Sequence, residues 1–111
     1  MSFEETRIPT HLWVEGKLRE LSAQGIGVYV THKGEKMDGL VLLKLSNMQG
    51  QSRLLTQQRD IDGVMGWINV FDDDVIDESR ADDYIARAKD RDPDQWVIEI
   101  EGSDMVNPFK D

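Results

Sequence analysis

The spacing of apolar residues changes period three times along this chain, and that restricts the fold more than any other feature. Val14, Leu18 and Leu21 recur at i, i+4, i+7, the spacing of one helical face. From Val28 to Phe71 the apolar residues fall instead in short runs of strand character, parted by clusters of Gly, Asn, Asp and Lys. Helical spacing returns with Ala81, Tyr84, Ile85 and Ala88, and alternation returns with Trp96, Ile98 and Ile100. A chain patterned in this way folds as α+β.

The first helix is predicted over 11–24. Thr10 is placed as its N-cap with Pro9 just outside, Glu15 and Arg19 form an i,i+4 pair, and Gly25 stops it. Gly16 inside it costs about 1 kcal/mol against Ala; it either permits a close helix–sheet contact or has no role. Strands are predicted over 28–32, 39–46, 52–58 and 66–71. The run Leu40-Val41-Leu42-Leu43 requires burial on both faces of the second strand. Ser79 and Asp82 read as an acidic capping box for a second helix over 80–90, which Asp92-Pro93 ends. A fifth strand follows over 96–101, apolar on one face and mostly acidic on the other.

The order is therefore α-β-β-β-β-α-β. Short connections make the first four strands an antiparallel meander. The fifth strand then has only the two edges to choose from, and the commoner antiparallel pairing gives the order 5-1-2-3-4. Length sets one domain over 1–111, with an ordered core over about 9–102 and flexible ends.

Composition excludes several function classes. The chain carries a formal charge of −9. A phosphate backbone or an anionic membrane surface is bound through a basic footprint, so neither nucleic acid nor membrane is an expected partner. There is no cysteine, hence no disulfide and no thiolate chemistry. No apolar stretch reaches the length of a membrane span and no signal peptide is visible, which points to the cytoplasm. Leu, Ile, Val and Phe make up about 26% of the residues, above the roughly 20% below which chains stay disordered.

The candidate chemistry lies between the second helix and the fifth strand. Asp90, Asp92 and Asp94, with Glu101 at the twelfth place, imitate the spacing of a calcium loop. Gln95 stands where that loop needs Gly, and a strand follows where it needs a helix. The better reading is an Asx-type turn in which the Asp92 and Asp94 carboxylates accept backbone N–H groups, braced by Arg87 or Arg91. The acids from Asp72 to Asp94 read first as a solvated face and second as a surface for a basic partner. His11 with Glu15, and His32 with Glu35, lack further ligands nearby, so no metal site is assigned. Ser46, Ser52 and Ser79 sit in ordinary strand or cap roles, and sequence does not decide whether any of them meets a His and an acid in space. Neither a nucleophile elbow nor a phosphate-binding glycine loop is present, so no catalytic or cofactor residue is assigned. Trp13, Trp67 and Trp96 read as core.

Tyr84-Ile85-Ala86-Arg87 followed by Asp92-Pro93-Asp94-Gln95-Trp96-Val97-Ile98-Glu99-Ile100-Glu101 resembles the signature of DUF1491, a family of small alphaproteobacterial proteins of unknown function. Leu12-Trp13-Val14, Leu18-Arg19 and Gly25 resemble its opening helix, and Gly34, Gly39 and Trp67 match more loosely. The resemblance spans about 11–101. It implies a bacterial source and transfers no activity and no catalytic residue.

The functional expectation is a non-catalytic protein-interaction module with an unidentified protein partner, possible also as a homodimer that hides sheet edges. The competing expectation is a small-ligand or metal-binding protein or enzyme using the turn from Arg87 through Asp92 and Asp94 to Trp96.

Overall fold

The computed structural model describes residues 8–109. The elements are α1 (Thr10–Ala23), β1 (Gly27–His32), β2 (Val41–Ser46), β3 (Gln51–Arg59), β4 (Met65–Asn69), β5 (Ile76–Asp77), α2 (Glu78–Arg91) and β6 (Trp96–Glu101). The α+β class and both helices match expectation; the two-residue β5 adds a sixth strand. The frayed N-terminal stretch expected before Pro9 lies, over residues 1–7, outside the described residues.

The sheet order corrects the expectation. It runs β1-β6-β2-β3-β4, with β5 pairing β3 off that path. The last strand does not lie at an edge; it is inserted between β1 and β2, antiparallel to β1 and parallel to β2. The meander therefore begins at β2, not at β1. The physical reason lies in β2. All six of its residues are buried, so it needs a hydrogen-bonded neighbour on each side and cover on both faces. β6 supplies the second neighbour. The β1–β2 connection, residues 33–40, is longer than a tight hairpin loop and steps across the strand between them.

Each face of the sheet carries one helix. Val41, Leu43, Leu45, Trp96, Ile98 and Ile100 face α1 and pack on Val14 and Leu21. Leu42, Leu54 and Val97 face α2 and pack on Ala81 and Ala88. The core also runs past its expected end at 102. Phe109 is buried, with its ring 5.3 Å from Trp13 and 6.1 Å from Trp67, both edge-to-face. Trp96 is buried as expected, whereas Trp13 and Trp67 are half-buried beneath that segment. Gly16 is exposed and a Cβ there would meet nothing, so it serves no close helix–sheet contact.

Both expected helix caps are corrected as well. Helix α1 begins at Thr10 itself, with Pro9 in the cap position. Helix α2 begins at Glu78 after Asp77, without a side-chain cap. Its first N–H donates to the Gly50 carbonyl at 2.9 Å. The Ser79–Asp82 box does not form because the earlier start puts Ser79 inside the first turn, and Asp82 is engaged elsewhere.

It is engaged by Lys44. This residue sits in the middle of β2 on the α2 face and is 4% exposed. Its Nζ donates to Glu78 at 2.7 Å and Asp82 at 2.8 Å, both on α2, and lies 3.6 Å from Glu99 on the adjacent β6. Burial alone would lower the pKa of the ammonium. The hydrogen bonds to Asp82 and Glu78 and the charge of Glu99 outweigh it, and the net pKa is raised.

Two predictions follow from this cluster. Removing the acids strands a buried charge, whereas removing the lysine leaves partly exposed acids that water can serve. The double variant E78Q/D82N is expected to lose about 3 kcal/mol in urea denaturation, and K44M to stay within about 1 kcal/mol of wild type. The raised pKa also sets a pH window. Lys44 stabilises the fold fully below its unfolded value of about 10.4, and that contribution is lost as pH rises through the higher folded value. Denaturation midpoints at about pH 9 and about pH 11 should therefore fall more for wild type than for K44M.

Candidate functional site

The turn from α2 into β6 is built from main-chain carbonyls, not from carboxylates. His32 Nε2 lies 3.0 Å from the Pro93 carbonyl, the Glu35 N–H donates to the Asp94 carbonyl at 2.8 Å, and the Gln95 N–H donates to the Asp92 carbonyl at 3.1 Å. The Asp92 and Asp94 side chains are exposed and accept none of these bonds. The expected Asx turn is replaced because β1 and the 33–40 connection bring donors to the carbonyls instead. Arg87 is exposed on α2. Arg91 does not brace the turn either; its guanidinium lies 5.5 Å from the Tyr84 ring centroid. Trp96 does join the turn. Its Nε1–H donates to the Glu35 carbonyl at 2.8 Å, and its backbone N–H to the Leu40 carbonyl. Of the four expected site residues, Trp96 and the main chains of Asp92 and Asp94 meet in one place, and Arg87 does not.

The 33–40 connection ties this turn to α1. The Thr10 and His11 N–H groups donate to the Met37 and Lys36 carbonyls at 3.1 and 2.9 Å, serving helix N–H groups that have no intrahelical partner. The Thr10 hydroxyl lies 3.0 Å from the Gly39 carbonyl. Glu35 folds the connection on itself, accepting from the Asp38 N–H at 2.7 Å and the Met37 N–H at 3.0 Å. Those donors hold its carboxyl below the ordinary range. A Cβ on Gly34 would run into the Asp94 carbonyl, and one on Gly39 would sit 2.6 Å from the same oxygen. The turn's main-chain groups are thus taken up within the fold. Among the described residues no three His, Asp or Glu side chains converge as a metal site.

Among the described residues two other places draw notice, and sequence patterning identified neither. The first is an open cleft of about 550 Å³ between β3, β4 and the C-terminal segment, with Arg53, Trp67, Asn69 and Phe109 in its lining. Arg53 Nη1 donates to the Met105 carbonyl at 3.0 Å. Arg53 Nε and Asn69 Oδ1 are buried without a hydrogen-bond partner. The second is the outer edge of β4, the last strand of the sheet. Ile68 on it is 47% exposed and Val64 just before it 62%. A shallow groove of about 370 Å³ lies over the end of the β3–β4 hairpin beside this edge, with Gln58, Arg59, Val64 and Ile68 in its lining. Asp60 and Asp62 precede the strand and Asp72, Asp73 and Asp74 follow it, all exposed. The opposite edge, β1, is different. A register shift between Val30 and His32 interrupts its pairing, and Tyr29 donates across to Glu101 at 3.2 Å.

Filling either crowded glycine should test the tie. Gly34→Ala and Gly39→Ala are each expected to destabilise by about 1–3 kcal/mol in thermal denaturation, the usual cost of overpacking, whereas Gly16→Ala should be stabilising.

Comparison with known proteins agrees with this architecture. The family model DUF1491, a protein family of unknown function, matches residues 8–110. A crystal structure of a DUF1491 family protein from Caulobacter crescentus is 32% identical, with a TM-score of 0.79 over 90% of this chain and 92% of that one. An NMR structure of a DUF1491 family protein from the same organism is 33% identical, with a TM-score of 0.71 over 85% and 84% of the two chains. The solution structure of protein Atu0922 from A. tumefaciens shares the fold at 18% identity, with a TM-score of 0.69 over 86% of each chain. No curated protein matches the chain. Nor is any helix among the described residues long and apolar enough to cross a membrane. The extent of the family match and the identity to the Caulobacter structures make this chain a member of the DUF1491 family.

Proposed function

We propose that the protein is a non-catalytic interaction module of the cytoplasm that takes an extended segment of a partner protein along the free edge of β4. The observation that carries this reading is the make-up of that edge. It carries exposed apolar side chains, at Val64 just before the strand and Ile68 within it. Acids flank it, at Asp60 and Asp62 and again at Asp72 to Asp74, against the single cation Arg59 among the described lining residues. An added strand would gain main-chain hydrogen bonds from the edge, and its alternate side chains would meet the Trp67 and Ile68 faces. Charge complementarity selects a segment with an apolar middle and basic flanks.

A second copy of this chain suits the same edge poorly. Whether two β4 strands met parallel or antiparallel, acids of one copy would face acids of the other, and like charges directly opposite destabilise a strand pair. The negative charge of the whole chain, −9, adds to the preference for a basic partner. The small-ligand reading of the turn at Asp92–Trp96 has less support, because its main-chain groups are already bonded to His32, Glu35 and Leu40.

The test is an NMR titration with a synthetic peptide whose Val/Thr core is flanked by lysines, against a control flanked by glutamates. Saturable shifts are expected in the β4 amides for the lysine peptide alone. Ile68→Lys should weaken binding by about tenfold or more, and D72N/D73N/D74N should lower both affinity and its salt dependence. Shifts that avoid β4, equal binding of the control peptide, or a dimer closed through β4 in sedimentation would each overturn the reading.

A further inference from the structure

We infer that the cleft between β3, β4 and the C-terminal segment binds a small organic carboxylate with an apolar, planar body. This site shares Trp67 with the groove at the β4 edge, but its argument rests on Arg53, Asn69 and Phe109 and does not depend on the reading given to that edge. The cleft's volume, about 550 Å³, falls within the range of small-molecule sites. Its base is aromatic, with Trp67 and Phe109 packed edge-to-face, and Leu55 adds an aliphatic wall. Among the described residues, Arg53 is the one charged residue in the lining. In a chain with 22 acidic residues, no carboxylate among the described residues pairs with it.

The guanidinium is held by one corner only. Nη1 is engaged by the Met105 carbonyl, which leaves the edge that carries Nε–H, the edge that docks side-on and bidentate against a carboxylate. Met105 itself stands at φ 51°, a left-handed conformation that is strained for a non-glycine residue. That conformation belongs to the turn that brings the Met105 carbonyl to Arg53. Arg53 Nε, a donor, and Asn69 Oδ1, an acceptor, are both closed off and unpaired in the same wall. The Asn69 amide is oriented by its Nδ2–H donating to Asp74, so Oδ1 is the atom left over. Buried polar groups without partners are costly. A carboxylate that drew the Arg53 head into the cleft would satisfy Nε and Nη2 together. The ligand's ring would lie on Trp67.

The probes are benzoate, phenylacetate and hydrocinnamate, each set against its own primary amide, on the wild-type protein by NMR. Expected are saturable shifts of the Arg53 Nε–H and Trp67 Nε1–H signals with at least one of the acids below about 10 mM. The matching amide should bind about tenfold more weakly or worse, because it cannot form the charged fork. Arg53→Lys keeps the charge and loses the fork, so it should weaken the acid by a similar factor. A merely structural Arg53, tying down the Met105 carbonyl, would not distinguish acid from amide. Equal binding of acid and amide, shifts confined to surface lysines, or no saturable shift from any of the three acids would overturn the inference. The acid–amide comparison needs no variant, so it stands even if Arg53→Lys fails to fold.

Discussion

β2 cannot face water anywhere, and most of the structure follows from meeting that demand. Its six residues are buried, and its main-chain groups pair with β3 on one side and β6 on the other. Placing β6 there puts the α2–β6 turn at the end of the sheet where β1 leaves and β2 begins. The connection from β1 to β2 must then pass over that turn. Gly34 and Gly39 allow the close approach, and the same connection meets the N-terminus of α1. One buried strand thus links the two helices, the turn and the longest β connection through backbone hydrogen bonds.

Electrostatics follows the same geometry. Lys44 interrupts the apolar run of β2 and is held among Glu78, Asp82 and Glu99. A buried ammonium gives no cheap stability, since desolvation offsets much of the ion pairing. It does discriminate among arrangements. α2 must lie with its first turn over the middle of β2, and β6 must lie in the register that sets Glu99 opposite Lys44. A slip of one residue in β6 would turn Glu99 toward the apolar α1 face and take Val97 off the other. Several of the acids that make the chain so negative are therefore structural. Of those around the outer edge of β4, Asp60 accepts from its own loop and Asp74 from Asn69, but none is held by a buried cation among the described residues, and all are exposed. That edge, rather than the whole acidic stretch from Asp72 to Asp94, therefore carries the functional reading.

The proposed sites were hidden from the sequence for a physical reason. Arg53 reads as an ordinary polar residue of the third strand, and Asn69 as one within the fourth. Only the return of the C-terminal segment, with Phe109 buried against Trp13 and Trp67, turns that part of the sheet into a cleft. A lone Phe after Asn107-Pro108 carries no periodicity that would mark it as core. The turn at Asp92–Trp96 was conspicuous in sequence because of its carboxylates, yet its bonds are made by carbonyls, which every residue possesses. The indole of Trp96 was the part of that segment whose role could be foreseen.

Local patterning determined where both helices and five of the six strands lie, because the 3.6-residue and two-residue periods are properties of the chain itself. It also determined that the second strand is buried on both faces, that no disulfide forms, and which family the chain belongs to. The position of β6 was decided only by tertiary structure. Pairing partners far apart in sequence are selected by the burial and hydrogen bonding of β2, and the rule that neighbouring strands pair fails when a stronger demand competes. The caps were decided there too. Thr10 and Asp82 have the chemistry of capping residues, but carbonyls from 36–39 and the ammonium of Lys44 reach them first, and only the folded chain brings those groups within range.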